Sequence, residues 1–357
     1  MIFFLLMLSV LGGSSYCVWR GLLLPASLAW PIIFPIHLLL YCAALVAMVI
    51  VITGRLRSTQ RSDAPWRLWS HTYFFCFLGL HGLLFTGLLL NCIFVFLIRV
   101  PVPTASTCAL SLTYALVILG VWIARRGPLL VPHSVGVGTT KLKIAQISDL
   151  HIGATINANY VKNVVDLTLA AKPDCIVLTG DIGDGMVSKH KDAMDELARL
   201  SAPLGVFLSL GNHEFYWPTD TWIAAFQKAG FRVLIDEHVQ LEQGGKEFSL
   251  LGLAPMKKKP FLEITEQKLK NLIVLSHYPD RAQEAAENKA LLFLAGHTHG
   301  GQFWPFSWII YFFHRYAKGR YQIDETTLYI HRGTGFWGPP LRFGARAEIA
   351  IFEIGLT

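Results

Sequence analysis

Lys143-Ile-Ala-Gln-Ile-Ser148-Asp149-Leu150-His151 is a short apolar run that stops at a carboxylate and an imidazole. The same arrangement recurs four times downstream. Cys175-Ile-Val-Leu-Thr-Gly180 leads into Asp181, and Val206-Phe-Leu-Ser-Leu-Gly211 into Asn212, His213 and Glu214. Leu272-Ile-Val-Leu-Ser276 ends at His277, and Leu291-Leu-Phe-Leu-Ala-Gly296 ends at His297 and His299. Short Val/Ile/Leu runs bounded by glycine read as buried strands. Helical spacing over 159–171, 189–200, 219–229 and 280–288 separates most of them. A βα alternation of this kind predicts an α/β fold with the strand C-terminal ends along one edge, where such sheets build their sites.

The side chains gathered at that edge define the chemistry. Two Asp, one Asn and four imidazoles (His151, His277, His297, His299) are oxygen and nitrogen donors without sulfur. Such a set suits Mn, Fe or Zn rather than soft copper, and the imidazoles argue against an all-oxygen calcium site. The donors exceed the needs of one ion but fit two divalent metals sharing a carboxylate. Two metals about 3.5–4 Å apart can clamp a phosphoryl group and lower the pKa of a water between them. A single Asp-x-His carries no signal; five fragments in order, each behind an apolar run, do.

Asp149-Leu-His151, Gly180-Asp181, Gly211-Asn212-His213-Glu214, Ser276-His277 and Gly296-His297-Thr298-His299 together resemble the calcineurin-like metallophosphoesterase superfamily, over about 145 to 355. The resemblance implies a four-layer αββα sandwich with a dinuclear centre at the strand ends. It implies one metal on Asp149, His151 and His299, the other on Asn212, His277 and His297, with Asp181 bridging. His213 would leave the metals alone, contact the phosphate and protonate the leaving group. His297-Thr-His-Gly-Gly-Gln302, Ser276-His-Tyr-Pro-Asp280, Arg332-Gly-Thr-Gly335, Pro340-Leu-Arg342 and Arg346-Ala-Glu348 are similar to a bacterial membrane-associated branch. That branch contains phosphodiesterases and UDP-2,3-diacylglucosamine hydrolases; His213 stands where other such hydrolases carry Arg.

Composition points to a membrane. The chain of 357 residues is 53% hydrophobic and only 15% charged, against about a quarter charged in soluble domains. Residues 1–130 hold eight Arg and a single acid, Asp63, which accounts for the whole net charge of +7. That excess sits in short loops between apolar runs, so it reads as membrane topology and not as a nucleic-acid surface. Uncharged stretches cover 1–19, 21–54, 72–98 and 100–124, with Pro25, Pro31 and Pro35 interrupting the second. Four transmembrane helices are therefore expected near 2–19, 35–54, 72–98 and 105–124. The first lacks the basic start and small-residue cleavage site of a signal peptide and reads as a retained span. The expected organisation is a four-helix transmembrane anchor at 1–126, a linker at 127–140 and a metallophosphoesterase domain at 141–357. Arg55, Arg57, Arg61 and Arg67 in the central loop, with Arg125 and Arg126 after the last span, put both termini and the catalytic domain in the cytoplasm. The bacterial inner membrane is the expected location. His37, His81 and Asn91 are the few polar residues within the spans, which suits helix packing better than a transport path. Five of six cysteines lie in the apolar half and no CxxC occurs, so neither disulfides nor a zinc knuckle is indicated. Cys175 reads as core.

Phe303-Trp-Pro-Phe-Ser-Trp-Ile-Ile-Tyr-Phe-Phe313 is uncharged and followed by His314, Arg315, Lys318 and Arg320. It is too short to span. Its aromatic content fits an interfacial segment or the rim of a lipid pocket built on Trp304, Trp308 and Phe312, the alternative being a buried helix. Met256-Lys-Lys-Lys259-Pro-Phe261 reads either as a headgroup contact or as a solvated loop, and Arg342 and Arg346 as binders of a second phosphate. The expected function is a dinuclear phosphohydrolase cleaving a phosphodiester or pyrophosphate bond in a lipid-linked substrate, with membrane lipids as partners. The alternatives are a phosphodiesterase acting on a soluble nucleotide and an inactive membrane sensor or scaffold. Degenerate phosphoesterase folds lose ligands, and none is missing here.

Overall fold

A computed structural model of the chain describes residues 16–27, 39, 79, 82–84, 86–255 and 269–357. They divide into two compact units, one of the described residues within 1–122 and 338–343, the other of those within 123–337 and 344–357.

In the first unit one described helix, α1 (Val102–Arg125), is long and apolar enough to cross a membrane, close to the expected span at 105–124. Most of the spans expected at 2–19 and 35–54, with His37 and His81, lie outside the described residues. The span expected at 72–98 is described continuously only from Thr86, where it is helical as far as Phe96. Among the described residues, Val18, Leu22, Leu23, Leu84 and Ala109 form a small apolar core. The Asn91 amide donates to the Gly21 carbonyl at 2.6 Å, the packing role its sequence context suggested.

The second unit is built on two six-stranded sheets. The strands of the first sheet are β1 (Leu129–Val135), β2 (Thr140–Ile147), β4 (Cys175–Thr179), β6 (Val206–Ser209), β7 (Arg232–Val233) and β14 (Glu348–Leu356), ordered β1-β14-β2-β4-β6-β7. The second contains β8 (Glu237–Gln243), β9 (Lys246–Gly252), β10 (Leu272–Leu275), β11 (Leu292–Ala295), β12 (Gly319–Ile323) and β13 (Thr326–Ile330), ordered β12-β13-β11-β10-β9-β8. A two-stranded ribbon, β3 (Ile152–Gly153) with β5 (Gly183–Asp184), completes the set. All five ligand-bearing runs are strands, and their parallel pairings β2–β4, β4–β6 and β10–β11 bring the C-terminal ends to one edge.

Alternate residues of these strands feed different cores, as the period of two requires. Ile144, Cys175, Val177, Phe207, Leu250, Ile273 and Leu294 fill the layer between the sheets. Ala145, Ile147, Ile176, Leu178 and Leu208 face α2 (Ala158–Ala170), α3 (Lys191–Leu197) and α5 (Thr219–Lys228). Leu251, Val274, Phe293 and Leu328 face α6 (Ala282–Glu287). The result is the expected αββα sandwich. Helix α2 starts where Asn157 accepts from the Tyr160 N–H at 3.1 Å, a side-chain cap. Two short helices remain: α4 (Asn212–Tyr216) and α7 (Phe306–Phe313).

Half of the stretch expected as a linker, 127–140, is strand β1, paired in parallel with β14. Its partner lies at the far end of the chain, and most of its residues stay exposed or half-buried, so local patterning gave no strand signal.

Candidate metal centre

Every ligand candidate follows a strand end, and the backbone there is unusual. Asp149, His151, Asp181, His297 and His299 all have positive φ, at 51°, 54°, 52°, 74° and 52°. Each such non-glycine residue costs roughly 1–2 kcal/mol, so the surrounding structure must hold it. The Asp149 and His151 N–H groups donate to the Gly180 and Asp181 carbonyls, both at 3.0 Å. Thr334 and Gly335 donate their N–H groups to the Ser148 and Asp149 carbonyls at 2.7 and 3.1 Å, which gives Arg332-Gly-Thr-Gly335 a structural task. Glycine is needed at 211 and 296, where a Cβ would run into the Asp181 and Asp149 carboxylates respectively.

Two ligand groups emerge. Asp149, His151 and His299 offer donor atoms within reach of one ion, and Asp181, His277 and His297 do the same for another. In the first, the His151 and His299 Nε2 atoms are 2.9 Å apart, and His299 Nε2 is 3.5 Å from Asp149 Oδ1. In the second, His277 Nε2 is 3.1 Å from Asp181 Oδ2. Asp181 Oδ2 is also 4.0 Å from His151 Nε2, so this carboxylate lies between the two groups, as a bridging ligand must. Asn212 joins the second group through Tyr278, whose hydroxyl donates to Asn212 Oδ1 at 3.0 Å and whose ring lies 4.4 Å from that of His297.

The donor set fits divalent cations on its own chemistry. His277 Nε2 is fully buried and makes no hydrogen bond, despite its approach to Asp181. The two donor atoms face each other at 3.1 Å without a hydrogen bond between them, an arrangement that a cation held by both would satisfy. The opposite nitrogen, Nδ1, meets the Thr179 carbonyl at 3.0 Å, so its N–H is directed there and Nε2 is left as the ligand atom. Asp149 is oriented in the same way, by the Ser148 hydroxyl at 2.6 Å and the His297 N–H at 2.9 Å.

Electrostatics show how costly the cluster is without cations. Burial pushes the Asp149 carboxyl up to about 6, even with His277 nearby. Burial, reinforced by neighbouring imidazoles, drives His151 and His297 down to about 3. His277 goes the other way: burial would lower it, but Asp181 holds it up at about 10. Asp181 is correspondingly held below its usual range, burial notwithstanding, chiefly by His277.

Two further carboxylates have roles that the sequence does not assign. Glu214 is buried, and its oxygens accept from the N–H groups of Asp181, Ile182, Gly183 and Gly211 at 2.7–3.0 Å, fixing the loop that carries Asp181. Asp184 Oδ1 is 3.1 Å from His213 Nδ1 and accepts from the Trp217 indole at 3.2 Å. It forms a third potential ligand group with His151 and His213. The available signal was Gly183-Asp184 directly behind Gly180-Asp181. His213 Nε2 is 3.9 Å from Asp181 Oδ2, so its ring reaches the edge of the cluster.

The residues expected to bind substrate are placed differently. Trp304 is half-buried, while Trp308 and Phe312 are 72% and 87% exposed, so helix α7 is a surface helix and not a buried one. Arg346 is exposed. Arg342 is buried and groups with the first unit, where its N–H donates to the Gly120 carbonyl at 3.0 Å. The stretch 256–261 lies outside the described residues.

A family model described as calcineurin-like phosphoesterase matches residues 142–301. A transmembrane protein with metallophosphoesterase domain from Danio rerio is 28% identical over 264 residues, covering 68% of this chain and 60% of its own. An uncharacterized metallophosphoesterase from Bacillus subtilis is 33% identical over 240 residues, covering 64% of this chain and 82% of that protein. Among solved structures, a dimetal phosphatase from Danio rerio shares 15% identity at a TM-score of 0.36, over 60% of this chain and 99% of that one. Alignments with the first three curated relatives span 56–60% of those proteins' length.

Proposed function

Because the chain belongs to the calcineurin-like phosphoesterase family, we propose that this metal-dependent phosphoesterase is a membrane-anchored enzyme that cleaves a phosphodiester or pyrophosphate bond in a lipid-linked substrate. UDP-2,3-diacylglucosamine is one member of that class. The observation that carries the chemistry is the pair of ligand groups sharing Asp181. The apolar helix α1 and the exposed aromatic helix α7 support the membrane setting, as does the description of the Danio rerio and Bos taurus relatives as transmembrane proteins. The arginine distribution supports a catalytic unit on the cytoplasmic face.

When bound, two divalent metals, with Mn, Fe and Zn all suited to these donors, supply Lewis-acid charge on the phosphoryl oxygens and lower the pKa of the attacking water. The chain's own residues do the rest. Asp149, His151 and His299 would hold one ion and Asn212, His277 and His297 the other, with Asp181 between the two groups. His213 is turned by Asp184 so that Nδ1 faces the carboxylate and Nε2 faces the cluster. In that orientation Nε2 can deliver a proton to the leaving oxygen as the phosphorus–oxygen bond breaks.

The test is to strip the full-length protein with chelator, restore Mn, and compare lipid-linked and soluble phosphodiesters. Metal-restored turnover with a preference for the lipid-linked substrate is expected. A preference for a soluble nucleotide would move the substrate off the membrane, and no turnover of any phosphoester would overturn the enzymatic reading.

A further inference from the structure

Helix α7 exposes six of its eight side chains to a third of their surface or more. Phe306 is 42% exposed, Trp308 72%, Ile309 37%, Tyr311 51%, Phe312 87% and Phe313 77%, and only Ser307 is buried. Contiguous apolar surface of this kind marks an interaction site. The helix is nevertheless firmly mounted. Ser307 donates its N–H to the Phe303 carbonyl at 2.9 Å, and Lys318 Nζ donates to the Ser307 carbonyl at 3.3 Å. At the other end the ring of His314, which closes the helix, lies 5.7 Å from the ring of the ligand His297. The apolar helix therefore borders the metal centre.

Charge narrows the occupant to one class. From Phe303 to Ile323 the sequence has no Asp or Glu, while Arg315, Lys318 and Arg320 are cations. Lys318 Nζ stands 5.6 Å from the Tyr311 ring, so positive charge sits directly against the apolar face. An aromatic, apolar surface with a cationic collar matches the boundary of an anionic bilayer, which offers acyl chains below and phosphates above. A second copy of this chain would bring the same cations against these and repel them. The chain also has a tether for this arrangement, since α1 ends only three residues before β1 of the catalytic unit.

We propose that α7 lies in the headgroup layer of an anionic bilayer as a second, non-spanning attachment, holding the His297 side of the metal centre at the membrane surface. The proposal rests on the membrane-anchored reading above and deepens it: a phosphoester within the headgroup layer would reach the metals without leaving the lipid.

The test is a depth measurement on full-length protein in vesicles of phosphatidylethanolamine and phosphatidylglycerol. A nitroxide is attached to Phe312→Cys, or in a second variant to Trp308→Cys, with the native cysteines replaced. Ser188→Cys, exposed elsewhere on the same unit, serves as the aqueous reference. At both α7 positions collisions with oxygen should exceed those with a water-soluble nickel chelate by several-fold, and at the reference the order should reverse. Replacing phosphatidylglycerol by phosphatidylcholine, or Arg315 and Lys318 by Glu, should move the α7 labels toward water. Nickel accessibility at α7 equal to that of the reference, or spin–spin broadening from a second copy, would overturn the proposal. Hydrolysis is measured on the same vesicles. Turnover of a lipid-linked phosphoester with α7 in water would defeat the docking proposal alone, whereas insertion without any turnover would defeat the functional reading.

Discussion

Replacing Asp184 with Asn should slow hydrolysis without emptying the metal centre. The carboxylate is 3.1 Å from His213 Nδ1, and it outweighs burial to hold His213 up at about 9. The contact falls short of hydrogen-bond geometry, so the contribution of a hydrogen bond to a charged group, about 1.5–3 kcal/mol or roughly 10- to 150-fold in rate, is its upper limit. Because the Asp184 side chain is 28% exposed, solvent screens the contact and the lower part of that range, about 10- to 30-fold, is expected. The assay is kcat for two phosphodiesters, one with a nitrophenol leaving group and one with an alkyl alcohol, at matched metal content. If His213 protonates the leaving oxygen, the loss should be several times larger for the alkyl substrate, which cannot depart as an anion. The sign of the pH effect follows from the same contact. His213 must be protonated to act, so activity falls as pH rises through its pKa, and Asp184→Asn should move that descent to lower pH. Equal losses on both substrates would refute the acid role. Loss of a metal would show instead that the group formed by His151, Asp184 and His213 binds an ion.

Asp181→Ala should deplete both metal positions by elemental analysis, whereas His213→Ala should keep its metals and lose about 10²–10⁴-fold in turnover. Metal binding to the stripped protein should release protons and tighten as pH rises, because Asp181 keeps His277 protonated up to about 10 in the metal-free state; titration calorimetry in buffers of different ionisation enthalpy reads this directly. Glu214→Gln turns an amide donor toward N–H groups that already donate, and should destabilise the catalytic unit by roughly 2–3 kcal/mol in denaturant unfolding. An introduced Cys at Ser188 should resist an impermeant thiol reagent in intact cells and react after lysis, with labelling in intact cells placing the catalytic unit outside.

What could be read from the sequence follows from where each signal lies. The strands ending at Asp149, Asp181, Asn212, His277 and His297 are announced locally, since each couples an apolar run to a coordinating residue, and the structure brings all five to one edge. The intervening helices are also local: α5 (Thr219–Lys228) lies within the span expected at 219–229. Glu214 and Asp184 were not assigned because their roles exist only after folding. Glu214 is meaningful through N–H groups more than thirty positions away, and Asp184 through His213 on another strand's end. Strand β1 was hidden for the same reason. The aromatic stretch before His314 was ambiguous because composition alone cannot say whether an apolar helix is covered, and here it is not.

Strand β14 has a bearing on how the protein is made. It lies between β1 and β2, parallel to the first and antiparallel to the second, so the sheet carrying Asp149 and Asp181 has a gap until Glu348–Leu356 arrives. Glu348 N–H also bonds the Gly333 carbonyl, tying that last strand to the loop that supports Asp149. A nascent chain emerging from the ribosome would therefore place its earliest strand in a waiting state, edge unpaired, throughout synthesis of the remaining sheet. Contacts this distant in sequence close slowly, and unpaired edges invite wrong partners. Completion of the ligand edge is thus a late event in the folding of this unit, and metal loading should follow the arrival of β14.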